Sequence, residues 1–488
     1  MKTKQLKPIM FVGTGSDVGK SVINAAFCRI FLQDGYHPAP FKAQNMSLNS
    51  YATKNQLEIG RAQAVQAEAC GIDCMVEMNP ILLKPTNHTT AQVVLNGKPA
   101  GNKSASEYFQ KTDRDMLFKE VCKGFDKLAS LYNPIVIEGA GSISEVNLWD
   151  KDIVNMRMAL YADAATYLIA DIDKGGVFAS VYGSILLLPQ EERDAIKGII
   201  INKFRGDINL FTEGRRMLEE LTGKPVVGVV PYFQDIFVEQ EDAVILDSHQ
   251  AKEGEKKVRI VVALLKHMSN FTDFNMLEQI PEVQLMYSNK PEEIAIADIV
   301  IIPGSKNTIS DMMYLRSTGV AQAILKHHRE NKPLYGICGG FQMMGSWIHD
   351  PLHVEGDVAS IPGLGIFPTE TTLCEGKQTR QCHFTMMHHQ GEGEGYEIHA
   401  GKTETDAPFA ILGNGEKDGY YLNDKTWGTY IHGVFDNNDV IAYLLEQVEA
   451  DICTDVDYKA RKDANYDKLA DWVRTHIDME YVYKTLEV

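Results

Sequence analysis

Two short segments hold residue types whose spacing suits group-transfer chemistry. The first is Gly13-Thr-Gly15-Ser-Asp-Val-Gly19-Lys20-Ser21, which follows an apolar run and opens an apolar helical stretch. A phosphate-binding loop has Gly, four residues, then Gly-Lys-Ser/Thr, and here Thr14 stands where the first glycine belongs, so that glycine is displaced by one. The chemistry tolerates the displacement. Backbone N–H groups around Gly15 and Gly19 at a helix N-terminus can cradle phosphate oxygens, Lys20 can neutralise charge, and Ser21 can hold Mg²⁺. The plainer reading is a glycine turn followed by a chance Gly-Lys-Ser.

The second segment is Gly336-Ile-Cys338-Gly339-Gly340, directly after an apolar run and before Phe341-Gln-Met-Met344. Flanking glycines let a nucleophile sit on a sharp strand-to-helix turn, and a helix N-terminus favours thiolate. Backbone N–H groups at Gly339 and in Pro303-Gly304-Ser305 are candidates for an oxyanion hole. A thiol nucleophile needs a base. Of the 14 histidines, His432 in Tyr430-Ile-His-Gly-Val-Phe-Asp436 is best placed, with His388, His389 and His399 as rivals. Cys28, Cys70, Cys74, Cys122, Cys374, Cys382 and Cys453 read as small buried hydrophobes.

Other candidates end apolar runs. Glu138 and Asp171 are further carboxylates for Mg²⁺, or solvated strand ends. Asn202 also ends such a run. Lys42, Gln44 and Asn45, in the polar segment after Pro40-Phe41, line a cleft for ATP phosphates or a substrate carboxylate, or else cap a loop.

The elements that must position these groups read as two α/β domains, each a mostly parallel sheet flanked by helices. Pro8–Val12, Ile135–Ile137, Tyr167–Ala170, Ile199–Ile201 and Val226–Val230 are continuous buried-strand runs, as are Val258–Leu265, Ile299–Ile302, Leu334–Ile337 and Thr429–Ile431. Such sheets bind ligands beyond the carboxyl ends of their strands. Gln56–Cys70 and Asp113–Leu131 read as crossover helices. The polar run at 247–257 divides the chain into a P-loop-like domain (1–246), a linker (247–257), a domain that carries Cys338 (258–450) and a helical tail (451–488).

A net charge of −18, from 48 Lys+Arg against 66 Asp+Glu, argues against nucleic-acid or anionic-membrane partners. No apolar run is long enough to span a bilayer, and no signal peptide is legible in the first residues. Eight cysteines without paired spacing suggest reduced thiols and a cytoplasmic location. Oligomeric state is not legible.

The displaced loop resembles those of dethiobiotin synthetase-like ATPases, which implies a base-reading place for Asn202, and Cys338 with His432 resembles the class I glutamine amidotransferases. Those enzymes carry His-x-Glu, whereas Val434 stands two past His432, so this sequence assigns no third member to a triad. Pro40-Phe-Lys-Ala-Gln-Asn-Met-Ser-Leu-Asn-Ser50, Glu58-Ile-Gly-Arg-Ala-Gln63, Met78-Asn-Pro-Ile-Leu-Leu-Lys-Pro85, Asp171-Ile-Asp-Lys-Gly-Gly-Val-Phe178 and Asn202-Lys-Phe-Arg-Gly-Asp207 resemble blocks of the cobyric acid synthase family. The resemblance implies a carbon–nitrogen ligase that uses glutamine, ATP and Mg²⁺, with no tightly bound prosthetic group. It further implies amidation of the b, d, e and g carboxylates of adenosylcobyrinic acid a,c-diamide in cobalamin biosynthesis. Two alternatives stand beside it: a cobyrinate a,c-diamide synthase, against which the Gln44-Asn45-Met46 block speaks, and a non-catalytic P-loop protein fused to an amidotransferase-like binding domain.

Overall fold

The computed structural model describes residues 4–85, 90–104, 107–108, 113–233, 236, 257–448 and 458–488. The polar run at 247–257 therefore lies outside the described residues except for Lys257, as does Cys453.

The β-branched runs of the first half form one six-stranded parallel sheet. Its order is Val226–Pro231, Ile196–Phe204, Ala165–Asp171, Ile9–Gly13, Ile135–Glu138, Ala39–Phe41. Ile9–Gly13 is central and wholly buried, which explains its lack of polar alternation. It delivers the glycine loop to the carboxyl edge of the sheet, between Asp171 on one neighbour and Glu138 on the other. Helix Lys20–Gln33 follows the loop. Arg114–Leu131 is helical as expected, and the Asp113 carboxylate caps it by accepting from the N–H groups of Asp115 and Met116.

Gln56–Cys70 is not one helix. Glu58–Gly60 is a strand paired with Ser50–Ala52, and the helix runs Arg61–Ala69. Tertiary contact overrides local propensity here. Glu58 is drawn into ion pairs with Lys84 (2.8 Å) and Lys377 (2.7 Å).

The second half forms another six-stranded sheet, in the order Val283–Ser288, Val258–Ala263, Ile299–Ile302, Leu334–Ile337, Thr426–Thr429, Tyr420–Asn423. Only the last strand is antiparallel. The strand expected at Thr429–Ile431 lies upstream at Thr426–Thr429, so His432 sits three residues beyond its end. Beside this sheet is a third, built on the long antiparallel hairpin Glu370–Met386 and Glu392–Thr403, which no parallel-strand pattern announced.

The tail folds back across the first domain. Helices Tyr458–His476 and Met479–Thr485 set Leu469, Val473, Val482 and Leu486 into the apolar cluster around Phe27 and Phe31. Ion pairs Arg29–Asp467 (2.7 Å) and Lys462–Glu68 (2.6 Å) fix the docking.

The two domains meet along residues 49–61. Tyr51 packs edge-on against Tyr396 with centroids 4.7 Å apart, Gln381 Nε2 donates to Ala52 O (3.0 Å), and Glu58 joins Lys84 of one domain to Lys377 of the other.

Candidate active sites

The phosphate loop is built around Lys20. Its ammonium is buried and donates to the carbonyls of Gly15 (2.8 Å) and Gly141 (2.9 Å), so the charge is held inside the loop. Gly19 has φ +95°, and a Cβ there would fall 2.1 Å from the amide nitrogen of Asn202. Only glycine fits that position. Asn202 in turn donates to Val18 O (2.9 Å), bracing the loop from the neighbouring strand.

Glu138 is the hub beside this loop. Ser21 Oγ (2.8 Å) and Lys42 Nζ (2.8 Å) both donate to its Oε1, and Gln66 Nε2 donates to Oε2 (2.6 Å). Burial by itself would raise this carboxyl, but the Lys42 ammonium and the three hydrogen bonds hold it below the ordinary range, as an anion. Ser21 and Glu138 thus present adjacent oxygens next to a phosphate cradle. That donor set suits Mg²⁺, a hard cation usually held by one or two protein oxygens plus phosphate. Among the described residues no cluster of three or more His, Cys, Asp or Glu offers a metal site made by protein alone. Asp171 is less available: Lys203 Nζ lies 3.0 Å from Oδ2, and Oδ1 accepts from Asp173 N–H (2.8 Å).

Of the three residues expected to line the cleft, Lys42 is buried at Glu138. Gln44 accepts from Tyr108 Oη (2.6 Å). Asn45 is buried, donates to Gln63 Oε1 (3.1 Å) and accepts from Met46 N–H (2.9 Å). Its amide thus binds protein partners on both sides.

Cys338 sits at the turn between Leu334–Ile337 and helix Gly339–Met344 with φ 49° and ψ −106°. A side chain at positive φ is strained, and the turn is held by Cys338 N–H donating to Thr429 O (2.7 Å) and Cys338 O accepting from Gln342 N–H (3.1 Å). The glycines are required by close approach: a Cβ on Gly340 would lie 1.9 Å from Ile302 O.

His432 is almost fully buried beside Cys338, whose sulfur interacts electrostatically with the ring while its thiol donates to Ile398 O (3.8 Å). Its ring stacks on Tyr396 with centroids 5.4 Å apart, and its backbone exchanges two hydrogen bonds with that residue. The rivals are engaged elsewhere. His399 bonds Gly401 O (2.8 Å) and stacks on Tyr430, while His388 and His389 stack on Tyr421 and Tyr443. Gly304 lies beside the His432 ring and Gly339 against Ser305. A Cβ on Gly304 would be 3.1 Å from His432 Cε1, and one on Gly339 would be 2.8 Å from Ser305 N.

What orients His432 is Asp273. The Nδ1 atom lies 2.7 Å from Asp273 Oδ2, and Gly433 N–H donates to Oδ1 (2.9 Å). Burial would lower the imidazole, but the Asp273 carboxylate and the Cys338 sulfur outweigh it and raise His432 to about 10. The site is arranged for an imidazolium beside a sulfur nucleophile. Asp273 was missed because the absent His-x-Glu drew attention to residues after His432. It lies instead in Ser269-Asn-Phe-Thr-Asp273, in a short helical turn ten residues past the end of Val258–Ala263, where no strand-end criterion points. Gln66 was missed because a glutamine inside a helix carries no local signal.

Residues 9–243 match the CobQ/CobB/MinD/ParA nucleotide binding domain family, and residues 259–440 match the CobB/CobQ-like glutamine amidotransferase domain family. The chain is 57% identical over 489 residues to the cobyric acid synthase of Bacteroides fragilis, with 99% of each chain covered. It is 55% identical to the cobyric acid synthase of Parabacteroides distasonis, again with 99% of each covered. Identity to that of Thermoanaerobacter sp. is 46%, with 98% of each covered. Among the described residues no helix is long and apolar enough to cross a membrane.

Proposed function

The chain belongs to the cobyric acid synthase family, and from that membership we propose that it converts adenosylcobyrinic acid a,c-diamide to adenosylcobyric acid. Glutamine supplies the nitrogen for the b, d, e and g carboxylates, and ATP supplies the driving force. The single observation that carries this reading is the presence, in one chain, of a buried Cys338–His432–Asp273 relay and a lysine-bearing phosphate loop.

We assign glutamine hydrolysis to residues 258–450. Cys338 Sγ attacks the side-chain amide carbon of glutamine, and the oxyanion forms towards the backbone N–H groups near Gly339 and Gly304. His432 returns a proton to the departing nitrogen, releasing ammonia and leaving a thioester that water cleaves to glutamate. Asp273 keeps the imidazole in the correct tautomer throughout.

We assign carboxylate activation to residues 1–246. A carboxylate is a poor electrophile, so a corrinoid side chain takes the terminal phosphoryl group of ATP, giving an acyl phosphate and ADP. Ammonia then displaces phosphate to form the amide. Lys20 and the loop N–H groups near Gly15 and Gly19 hold the phosphates and stabilise the transferring charge. Magnesium held by Ser21 and Glu138 would neutralise further phosphate charge. Asp171 is the more distant candidate for that role, given its Lys203 partner. Asn202 stands beside the loop to contact the nucleotide. Lys42 and Gln44 contribute contacts for phosphate or corrinoid carboxylate, and Asn45 shapes the strand that presents them. Free ATP, glutamine and corrinoid as substrates suit a cytoplasmic enzyme.

The test is mass spectrometry of the corrinoid after incubation of purified protein with ATP, Mg²⁺, glutamine and the a,c-diamide. The expected product has four side-chain carboxyl groups converted to primary amides. Recovery of unchanged diamide contradicts the proposal, as does amidation at a and c when cobyrinic acid is supplied in place of the diamide.

A further inference from the structure

The turn that carries Asp273 is not held by its own domain alone. Asn270, which opens that turn, is buried and adopts the left-handed conformation (φ 53°, ψ 43°) without capping the turn with its own side chain. Its Oδ1 instead accepts from the N–H of Ser50 in the other domain (3.0 Å). The next residue reciprocates: Phe271 N–H donates to Oδ1 of Asn49 (3.2 Å), and Asn49 is itself buried. Two residues further along, the Asp273 carboxylate meets His432.

Asn49 is also tied inward. Its carbonyl accepts from Arg61 N–H (3.1 Å), at the start of the helix whose Gln66 reaches Glu138 beside the phosphate loop. A continuous run of hydrogen bonds thus joins the two sites. It passes from Glu138 through Gln66 and the helix to Asn49, then through the 270–273 turn to His432.

We propose that Asn49 and Asn270 form a latch by which the synthase domain holds Asp273 in register, making Asn49 a positioning residue for glutamine hydrolysis in the other domain. This rests on the reading of Cys338–His432–Asp273 as the glutaminase relay. Asparagine tolerates left-handed backbone better than most residues, so what fixes this turn is the hydrogen bonding of its buried side chain. Here that hydrogen bonding reaches into the other domain. A small drift of the turn moves the Asp273 carboxylate off His432 Nδ1, and catalysis is sensitive to such misplacement.

The experiment measures three rates on the full chain: glutamine hydrolysis, amidation with glutamine, and amidation with ammonium salt. Asn49→Ala removes the acceptor for Phe271 N–H but leaves the Asn49 backbone bond to Arg61. Loss of that hydrogen bond should lower glutaminase kcat about five- to tenfold. KM for glutamine and the ammonium-supported rate should be unchanged. Asn49→Asp, which keeps an acceptor oxygen, should recover most of the glutaminase rate. Asn270→Gly, which retains the left-handed backbone and loses only the Ser50 contact, should repeat the Asn49→Ala pattern and serves should the first variant fold poorly. Wild-type glutaminase kcat in both Asn49→Ala and Asn270→Gly overturns the latch, as does an equal loss of ammonium-supported synthesis. Cys338→Ala in parallel separates the two questions, because retained glutaminase activity there would instead refute the underlying reading of the site.

Discussion

Asp273→Asn is the substitution for which the structure makes the sharpest demand. Both carboxylate oxygens accept hydrogen bonds: Oδ2 from His432 Nδ1–H at 2.7 Å and Oδ1 from Gly433 N–H at 2.9 Å. An amide has only one accepting oxygen, so its NH₂ must face one of two donors. If it faces His432, the ring relieves the clash by moving its proton to the other nitrogen. The atom beside Cys338 then carries a hydrogen and cannot take the thiol proton. Loss of the charge-assisted bond alone is worth about 1.5–3 kcal/mol, or roughly 10- to 150-fold in rate. The wrong tautomer deepens the defect, which reaches about 10⁴-fold in serine-type triads. A thiol ionises more readily than a hydroxyl, so we expect a fall in glutaminase kcat of about 10²- to 10⁴-fold. Ammonium-supported amidation should be unaffected. The same carboxylate sets a pH signature. His432 is raised from 6.5 to about 10 in the fold, so its stabilising contribution is complete below pH 6.5 and is lost as pH rises through about 10. Glutaminase activity should therefore persist to alkaline pH and then decline, and Asp273→Asn should move that decline to lower pH. Steady-state glutamate release across pH measures both. Asp273→Asn with near-wild-type kcat and an unmoved alkaline limb would refute the assignment.

Three other outcomes are expected. Cys338→Ala should abolish glutamine-dependent amidation while ammonium-supported synthesis continues, since the thiol serves only to release ammonia; loss of both in a folded variant would show the sites are not separable. Lys20→Ala should lower amidation from either nitrogen source by about 10²- to 10³-fold, the scale for removing one donor to a transition-state charge, and ADP release measures it. Glu58→Gln should destabilise the protein by about 3–5 kcal/mol, because it leaves the Lys84 and Lys377 ammoniums buried at the domain junction without their carboxylate. Burial opposes ionisation of Glu58, yet the two lysines win and hold it well below the usual carboxylate range. Its contribution is thus present above pH 4.5 and is lost as pH falls further, so wild type should lose stability in acid and Glu58→Gln should not show that step in thermal melts.

Both parallel sheets were legible because buried central strands read as unbroken β-branched runs, and the loops at their carboxyl ends are where such sheets bind ligands. That logic singled out Cys338, Lys20, Ser21 and Glu138 as candidates. The Glu370–Met386 and Glu392–Thr403 hairpin escaped because its burial alternates and it pairs with itself over a long span, a pattern no short apolar run reveals. Asp273 and Gln66 escaped for a different reason. Each acts on a partner far away in sequence, His432 in one case and Glu138 in the other, and only the folded chain brings them within hydrogen-bonding distance. The Gln56–Cys70 stretch misled because the helix propensity of its second half hid the strand made by Glu58–Gly60, whose place is fixed by ion pairs to another sheet.

The central claim is that one chain frees ammonia at Cys338 and spends it on a carboxylate activated beside Lys20, and nitrogen tracing tests it most directly. Glutamine bearing a heavy amide nitrogen is supplied with ATP, Mg²⁺ and adenosylcobyrinic acid a,c-diamide, in the presence of unlabelled ammonium, and the corrinoid product is weighed. The account predicts cobyric acid whose new amides carry the heavy label well above its fraction in bulk ammonium, with none of that label incorporated by Cys338→Ala. Product labelled only to the bulk ratio, or label entering the Cys338→Ala product, would contradict it.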